Sequence, residues 1–232
     1  MLITGASGGL GSSIAEYFVN LNYNLVLHHN KNLPKLDESE NVLHVKADLT
    51  IEKEVEHLLD VAQNKFGHVD IVINNAGISE STISWKTSVE SWEKTISTNL
   101  TAPFLVCKHF IPQMKNRKWG RIINISSVVG QTGFIGTAAY TASKAGLIGL
   151  TKTLSKELSS SGITANNIAL GYFNKGMIRD VPDNLKQEIE QTIPLKRLGE
   201  PASINHTIAF IIDDASNYLT GQTINLNGGL YT

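Results

Sequence analysis

Short apolar runs alternate along this chain with longer segments in which apolar residues recur at three and four positions. Leu25 to Leu27, Val42 to Val45, Ile71 to Ile73, Arg121 to Ile125, Thr164 to Ala169 and Thr223 to Leu226 are the predicted strands, after a first one reduced to Met1 to Ile3. Gly11 to Leu21, Glu52 to Phe66, Ser88 to Lys115, Ala138 to Ser160 and Pro201 to Ile212 are the predicted helices. Such alternation builds βαβ units and hence an α/β fold, a parallel sheet covered by helices on both faces. No linker or repeat interrupts it, so the 232 residues read as one domain. Only residues 171–201 lack the rhythm. A long excursion after a strand's carboxyl end often covers the site in such folds, which makes this stretch the candidate lid.

Charge and cysteine content narrow the partners. Twenty Lys+Arg against 21 Asp+Glu leave a net charge of −1, so no bulk field draws the chain to nucleic acid or an anionic membrane. A small, neutral partner fits better. The only cysteine, Cys107, lies in the apolar stretch from Phe104 to Ile111 and reads as a buried thiol in a reducing compartment. There is no basic leader and no apolar run of the roughly 18 residues a membrane span needs, so a cytoplasmic location is expected. No metal site is expected.

The first turn carries the first chemical signal. Thr4-Gly5-Ala6-Ser7-Gly8-Gly9-Leu10-Gly11 follows a strand and opens a helix. Glycines there let the backbone turn tightly and approach a pyrophosphate, whose charge rests on the helix N-terminus. A dinucleotide fold next needs a reader of the adenosine ribose at the end of the second strand, where an acid would bind the free 2′-hydroxyl of NAD. Here the residues are His28-His29-Asn30-Lys31. With no carboxylate, and with Lys31 and two imidazoles able to meet a 2′-phosphate, NADP(H) is favoured over NAD(H), the alternative being a solvated polar turn. Asp48, followed by Leu49, either accepts from the adenine amino group or serves its own turn. Asn74-Asn75-Ala76-Gly77 follows the fourth strand, and its small residues would let a cofactor lie against the sheet.

A second signal is Tyr140 and Lys144, four apart and so on one helix face. A phenol is a poor acid–base catalyst at neutral pH unless a neighbouring cation stabilises its anion, and an ammonium does that. Ser127 ends the fifth strand within reach of the same pocket, with Ser126 as its competitor. Asn99 falls inside a predicted helix, where an amide has poor propensity, which points either to a special role or to a surface position.

Together, Thr4-Gly-x-x-x-Gly-x-Gly11, Asn74-Asn-Ala-Gly77, Asn99, Ser127, Tyr140 and Lys144 resemble the short-chain dehydrogenase/reductase family, in its order and spacing, over nearly the whole chain. The resemblance implies a Rossmann-type doubly wound sheet. Within the family, Ser126-Ser127-Val128-Val129-Gly130, Lys144-Ala145-Gly146-Leu147-Ile148-Gly149, Ile193-Pro194-Leu195 and the tail from Thr220 to Gly229 are most similar to bacterial 3-oxoacyl-acyl-carrier-protein reductases. By resemblance the catalytic set is Asn99, Ser127, Tyr140 and Lys144. Lys144 would also hold the nicotinamide ribose and lower the pKa of Tyr140, Ser127 would position the carbonyl, and Asn99 would fix a water that refills the proton through Lys144. The cofactor would lie along Gly5, Ser7, Gly8, Gly9, Leu10, Gly11, His29, Asn30, Lys31, Asp48, Leu49, Asn75, Ala76, Gly77, Tyr140 and Lys144, in a homotetramer.

Several departures stand out. The family usually has Pro-Gly and then Thr or Ser after the sixth strand, whereas this chain has Leu170-Gly171 and then Lys175. Many NADP-using relatives carry Arg where Gly8 stands. Carrier-protein reductases often carry an Arg where Ser161 stands, leaving Lys118 and Arg121 as the basic groups expected near the site entrance. The first strand is short at its amino end, which would weaken a sheet edge or reflect a start lacking a few residues. The leading expectation is NADPH-dependent reduction of a carrier-linked 3-oxoacyl thioester. Its rivals are an oxidoreductase of a free polyol, sugar or ketone and a silent dinucleotide sensor. A lid bearing Lys175, Arg179, Lys186, Lys196 and Arg197 suits an acidic carrier protein or a phosphopantetheine, or is simply solvated.

Overall fold

A computed structural model of the chain describes residues 1–176, 178 and 181–232. Among these, β1 (Leu2–Ile3), β2 (Leu25–His29), β3 (Val42–Lys46), β4 (Ile71–Asn74), β5 (Gly120–Ser127), β6 (Ile163–Leu170) and β7 (Thr223–Leu226) form one sheet. The order is β3-β2-β1-β4-β5-β6-β7 and every pairing is parallel. Each predicted strand is present, most of them a residue or two longer than expected. β1 lies in the middle of the sheet, between β2 and β4, and not at an edge. Its two residues suffice because both neighbours pair with them and their side chains are fully buried.

Successive side chains of a strand point to opposite faces, and the two hydrophobic cores follow that alternation. Leu2, Val26, Val72, Ile122 and Ala165 pack on one face with residues of α2 (Glu52–Phe66), α4 (Ala102–Arg117) and α6 (Ala138–Leu158). Ile3, Leu25, Leu27, Ile73, Ile123 and Ile168 pack on the other with α1 (Gly9–Val19) and α8 (Pro201–Ile212). Cys107 sits inside the first core, where burial pushes its thiol up to about 12 and leaves it inert.

Two stretches differ from expectation. The predicted helix from Ser88 to Lys115 is α3 (Val89–Ile96), a π-helical turn over Ser97–Thr101, and then α4. Pro103 has no N–H to offer the carbonyl four residues earlier, which is that of Asn99, so the ordinary ladder is interrupted there. Residues 171–201 hold a helix, α7 (Asp183–Thr192), missed because Leu185 and Ile189 are its only apolar residues and none of it is buried. The base of this excursion is closed: Asn174 N–H donates to Gly199 O at 2.9 Å, and Gly199 N–H to Tyr172 O at 2.9 Å. Between α4 and α6 a short helix, α5 (Val129–Thr132), follows β5. No described helix is long and apolar enough to cross a membrane.

Candidate active site

In parallel sheets, ligands sit at the carboxyl ends of the strands where the connection order reverses. Here that point lies between β1 and β4. The Gly-rich turn leaves β1 there and is stapled to the loop after β4. Thr4 Oγ1 accepts from Asn75 N–H at 2.9 Å and Ala76 N–H at 3.0 Å, while Asn75 Nδ2 donates to Thr4 O at 2.8 Å and Gly5 O at 3.2 Å. Gly5 has φ +64°, and a Cβ there would stand 2.9 Å from Ala76 Cα. A Cβ on Gly11 would stand 2.4 Å from Gly5 O. Only glycine fits either position. The N-cap of α1, Gly8, supplies no side-chain cap, and the first turn holds no acid. The N–H groups of Gly9, Leu10 and Gly11 therefore have no intrahelical acceptor and no competing carboxylate. Together with half-buried Ser7, they fit a pyrophosphate.

The adenosine end needs one correction. His28 is buried, its Nδ1 accepting from Gly5 N–H at 3.1 Å and its Nε2 lying 2.9 Å from Ala47 O. That pairing requires the proton on Nε2. Burial pulls its pKa down to about 4, so the ring is neutral and serves the turn instead of a phosphate. His29 is also buried, its ring against His44, and burial lowers its pKa too. Asn30 and Lys31 are exposed. Asp48 Oδ1 accepts from Thr50 N–H at 3.0 Å and Thr50 Oγ1 at 2.7 Å, and hydrogen bonding from Thr50 lowers the carboxyl's pKa. Of its two expected roles, the structure shows the turn. Leu49 buries its side chain in the core.

The four residues expected to act together converge beside the loop 75–77. The Ser127 hydroxyl, which donates to Leu170 O at 3.5 Å, lies near enough to the Tyr140 phenol for hydrogen bonding to it to lower the phenol's pKa. Burial raises the phenol's pKa, against that lowering, so the expected depression by Lys144 does not set the balance. The Lys144 ammonium lies 5.6 Å from the centre of the Tyr140 ring and donates to Ile125 O at 2.8 Å. With no carboxylate among its partners, it is pulled down to about 8 by burial. Asn99 is fully buried in the π turn: its Oδ1 accepts from Ile78 N–H at 2.8 Å, and its Nδ2 donates to Ile78 O at 2.8 Å and Ser143 Oγ at 3.2 Å. A Cβ on Gly77 would stand 3.3 Å from Asn99 Oδ1 and 3.5 Å from Lys144 Nζ. The strand's alternation separates the two serines, for Ser126 is buried and donates to Lys144 O at 2.9 Å. Ser143, whose hydroxyl donates to Tyr140 O at 2.6 Å, is a positioning residue that the sequence reading missed, and only its nearness to Tyr140 and Lys144 could have marked it. Thr4 and His28 stand in motifs that were read, but with positioning roles not assigned to them there.

Lys118, Arg121 and Ser161 lie elsewhere. Arg121 is the second residue of β5 and Ser127 the last, so at about 3.3 Å per residue they are roughly 20 Å apart. Lys118 precedes β5 and Ser161 precedes β6, and a Cβ on Gly162 would meet Lys118 O. Within one chain all three therefore sit at the amino edge of the sheet, opposite the site. Arg121 is 2% exposed, bonded to Asp214 at 3.2 Å and stacked over the Trp119 ring at 4.3 Å. It is a structural cation. Of the lid cations, Arg179 lies outside the described residues, Lys186 pairs with Asp183 at 3.1 Å, and Lys196 and Arg197 bond the carbonyls of Gln191 and Leu198. Away from the site, Glu52, Glu56 and His109 bring ligand atoms within 4.8 Å of one another, and Glu52 is already paired with Lys108 at 2.5 Å and His109 at 3.0 Å.

A dinucleotide turn at the switch point, beside a phenol, a hydroxyl and an ammonium, defines a nicotinamide-dependent oxidoreductase. The sequence model of the short chain dehydrogenase family matches residues 1–186, and the chain belongs to that family. It is 38% identical over 241 residues to the 3-oxoacyl-acyl-carrier-protein reductase FabG of Staphylococcus epidermidis, covering 99% of this chain and 98% of that protein. The enzymes of the same name from Staphylococcus aureus and Rickettsia conorii are 37% and 41% identical, with 99% of this chain and 97% and 95% of theirs covered.

Proposed function

We propose that this protein reduces the 3-oxo group of an acyl thioester carried on an acyl-carrier protein, giving the 3-hydroxyacyl thioester, with NADPH. The observation that carries the reading is end-to-end similarity to reductases of that name, supported by the nearness of Ser127 and Lys144 to Tyr140. The reduced nicotinamide, when bound, supplies the hydride that C3 accepts. Ser127 holds the substrate oxygen by hydrogen bonding, and Tyr140 donates its proton to that oxygen as the C–H bond forms. Lys144 keeps positive charge beside the phenol while it is ionised, and Asn99 anchors the loop carrying Gly77 and Ile78 against the helix that bears Tyr140. The choice of NADPH rests on exposed Lys31 and on the lack of an acid at the end of β2. The proposed setting is cytoplasmic, as a homotetramer.

Purified protein is assayed for oxidation of NADPH and NADH with a carrier-linked 3-oxoacyl substrate, free 3-oxoesters and diketones, and for reduction of NADP+ and NAD+ with polyols. The expected result is fastest turnover of the thioester with NADPH. Turnover of polyols or ketones without the thioester would replace the substrate, and equal dissociation constants for the two cofactors would remove the NADPH preference. Asn30→Asp places an acid at the ribose and is expected to shift preference toward NADH by about tenfold.

A further inference from the structure

Lys175 stands where relatives place a Thr or Ser, and it lies over the Gly-rich turn. A Cβ built on Gly9 would be 2.6 Å from Gly176 N, 2.9 Å from Gly176 Cα and 3.4 Å from Lys175 Cγ. Gly176, at φ +82°, in turn faces Leu10 Cγ at 3.5 Å from its own Cβ position. The first stretch of the lid is thus packed against the turn whose backbone N–H groups lack acceptors, and three more bonds carry the lysine stem to its ammonium. Lys175 has no hydrogen bond or ion pair among the described residues, whereas Lys186, Lys196 and Arg197 are occupied. At this junction the N–H groups of Gly9, Leu10 and Gly11 offer only partial charges, and Lys175 adds a full one.

We infer that Lys175 is a pyrophosphate-binding residue: its ammonium pairs with the bridging phosphates of the dinucleotide from the stretch packed on the turn. This rests on the dinucleotide reading of the turn and not on the choice of substrate. Because both nicotinamide cofactors carry the same pyrophosphate, Lys175 contributes equally to each. Lys31, at the 2′-phosphate, does not.

The test is calorimetric binding of ADP-ribose, which has the pyrophosphate but no nicotinamide, and of adenosine 2′-monophosphate, which has neither. Lys175→Met is expected to weaken ADP-ribose, NADH and NADPH by a common factor of about ten, to leave adenosine 2′-monophosphate within about twofold, and to lose its contrast with wild type near 1 M salt. Lys175→Arg restores ADP-ribose binding. Unchanged ADP-ribose affinity in Lys175→Met overturns the inference, also where the variant raises KM for a carrier-linked substrate, since the cation then serves the partner. Equal weakening of all four ligands overturns it as well, by pointing to a disturbed fold. If wild type binds no ADP-ribose, the inference fails together with the dinucleotide reading. Normal ADP-ribose binding with no 3-oxoacyl turnover defeats only the proposed substrate.

Discussion

The two edges of this sheet each bury a cation, and they treat it oppositely. At the amino edge Arg121 is given a carboxylate, Asp214, and an aromatic face, Trp119. At the carboxyl edge Lys144 is given a carbonyl oxygen and the edge of a phenol's surroundings, with no counter-ion. A guanidinium stays charged whatever its neighbours do, so Arg121 is a fixed brace. An ammonium without a counter-ion is pulled toward neutrality, and Lys144 titrates near 8. Omitting one carboxylate separates a strut from a reagent.

The sharpest way to break the comparison is at the reagent edge. Tyr140→Phe keeps the ring and removes the proton, and turnover is expected to fall by at least about a thousandfold while NADPH binding, followed by fluorescence, stays within twofold. Retention of most of the wild-type rate would take the proton-donor role away from Tyr140. Lys144→Ala is expected to lower both turnover and cofactor affinity.

Stability against pH sharpens the same contrast at lower cost. Unfolded, Lys144 holds its proton up to the ordinary value of 10.5, and folded it releases it near 8. Between these values the unfolded chain binds more protons, so this residue's contribution to stability rises with pH from about 8 to 10.5, and below 8 the buried charge is a full cost. Lys144→Met is therefore expected to stabilise the cofactor-free protein by roughly 1–3 kcal/mol at pH 7, by an amount that shrinks above pH 8. Urea unfolding at pH 7 and pH 9.5 measures it; a gap that is constant with pH would show that burial does not hold the ammonium as described.

At the brace edge the expected effects are on folding alone. Asp214→Ala leaves Arg121 buried without its carboxylate and is expected to cost about 1 kcal/mol, a modest loss because Asp214 is itself exposed. Turnover per folded molecule stays at the wild-type level, and a changed KM would connect the two edges. The smallest effect belongs to Lys118→Glu, expected to leave KM for both carrier-linked and free 3-oxo substrates unchanged, since within the chain Lys118 precedes β5 and Ser127 ends it, more than about 20 Å of strand away.

Those edges also show what could be read from the chain beforehand. Strand positions were legible because doubly buried strands are apolar throughout, and Tyr140, Lys144 and Ser127 were legible because each sits where its element ends or begins at the carboxyl edge. Lys118 and Arg121 were misplaced because a separation of six positions between Arg121 and Ser127 suggests nearness, whereas extended backbone turns it into the full depth of the sheet. His28 opened a polar motif whose last residues, Asn30 and Lys31, face solvent, and only the three-dimensional pairing of Gly5 with Ala47 through its ring shows it to be neutral and internal. The π turn at Asn99 was half visible: an amide stood out in the helix, but not the missing N–H of Pro103 that interrupts the ladder.

The staple between Thr4 and Asn75 has a consequence for synthesis. The residues that shape the turn are 71 apart in the chain, and β1 takes its place only when β2 and β4 close on both its sides. A growing polypeptide that has delivered its first helix thus still has an unformed cradle, and loop closure of that length must precede it. Cofactor cannot act as a template for the earliest folding of this enzyme; it can only trap a sheet whose centre has already been assembled from both directions.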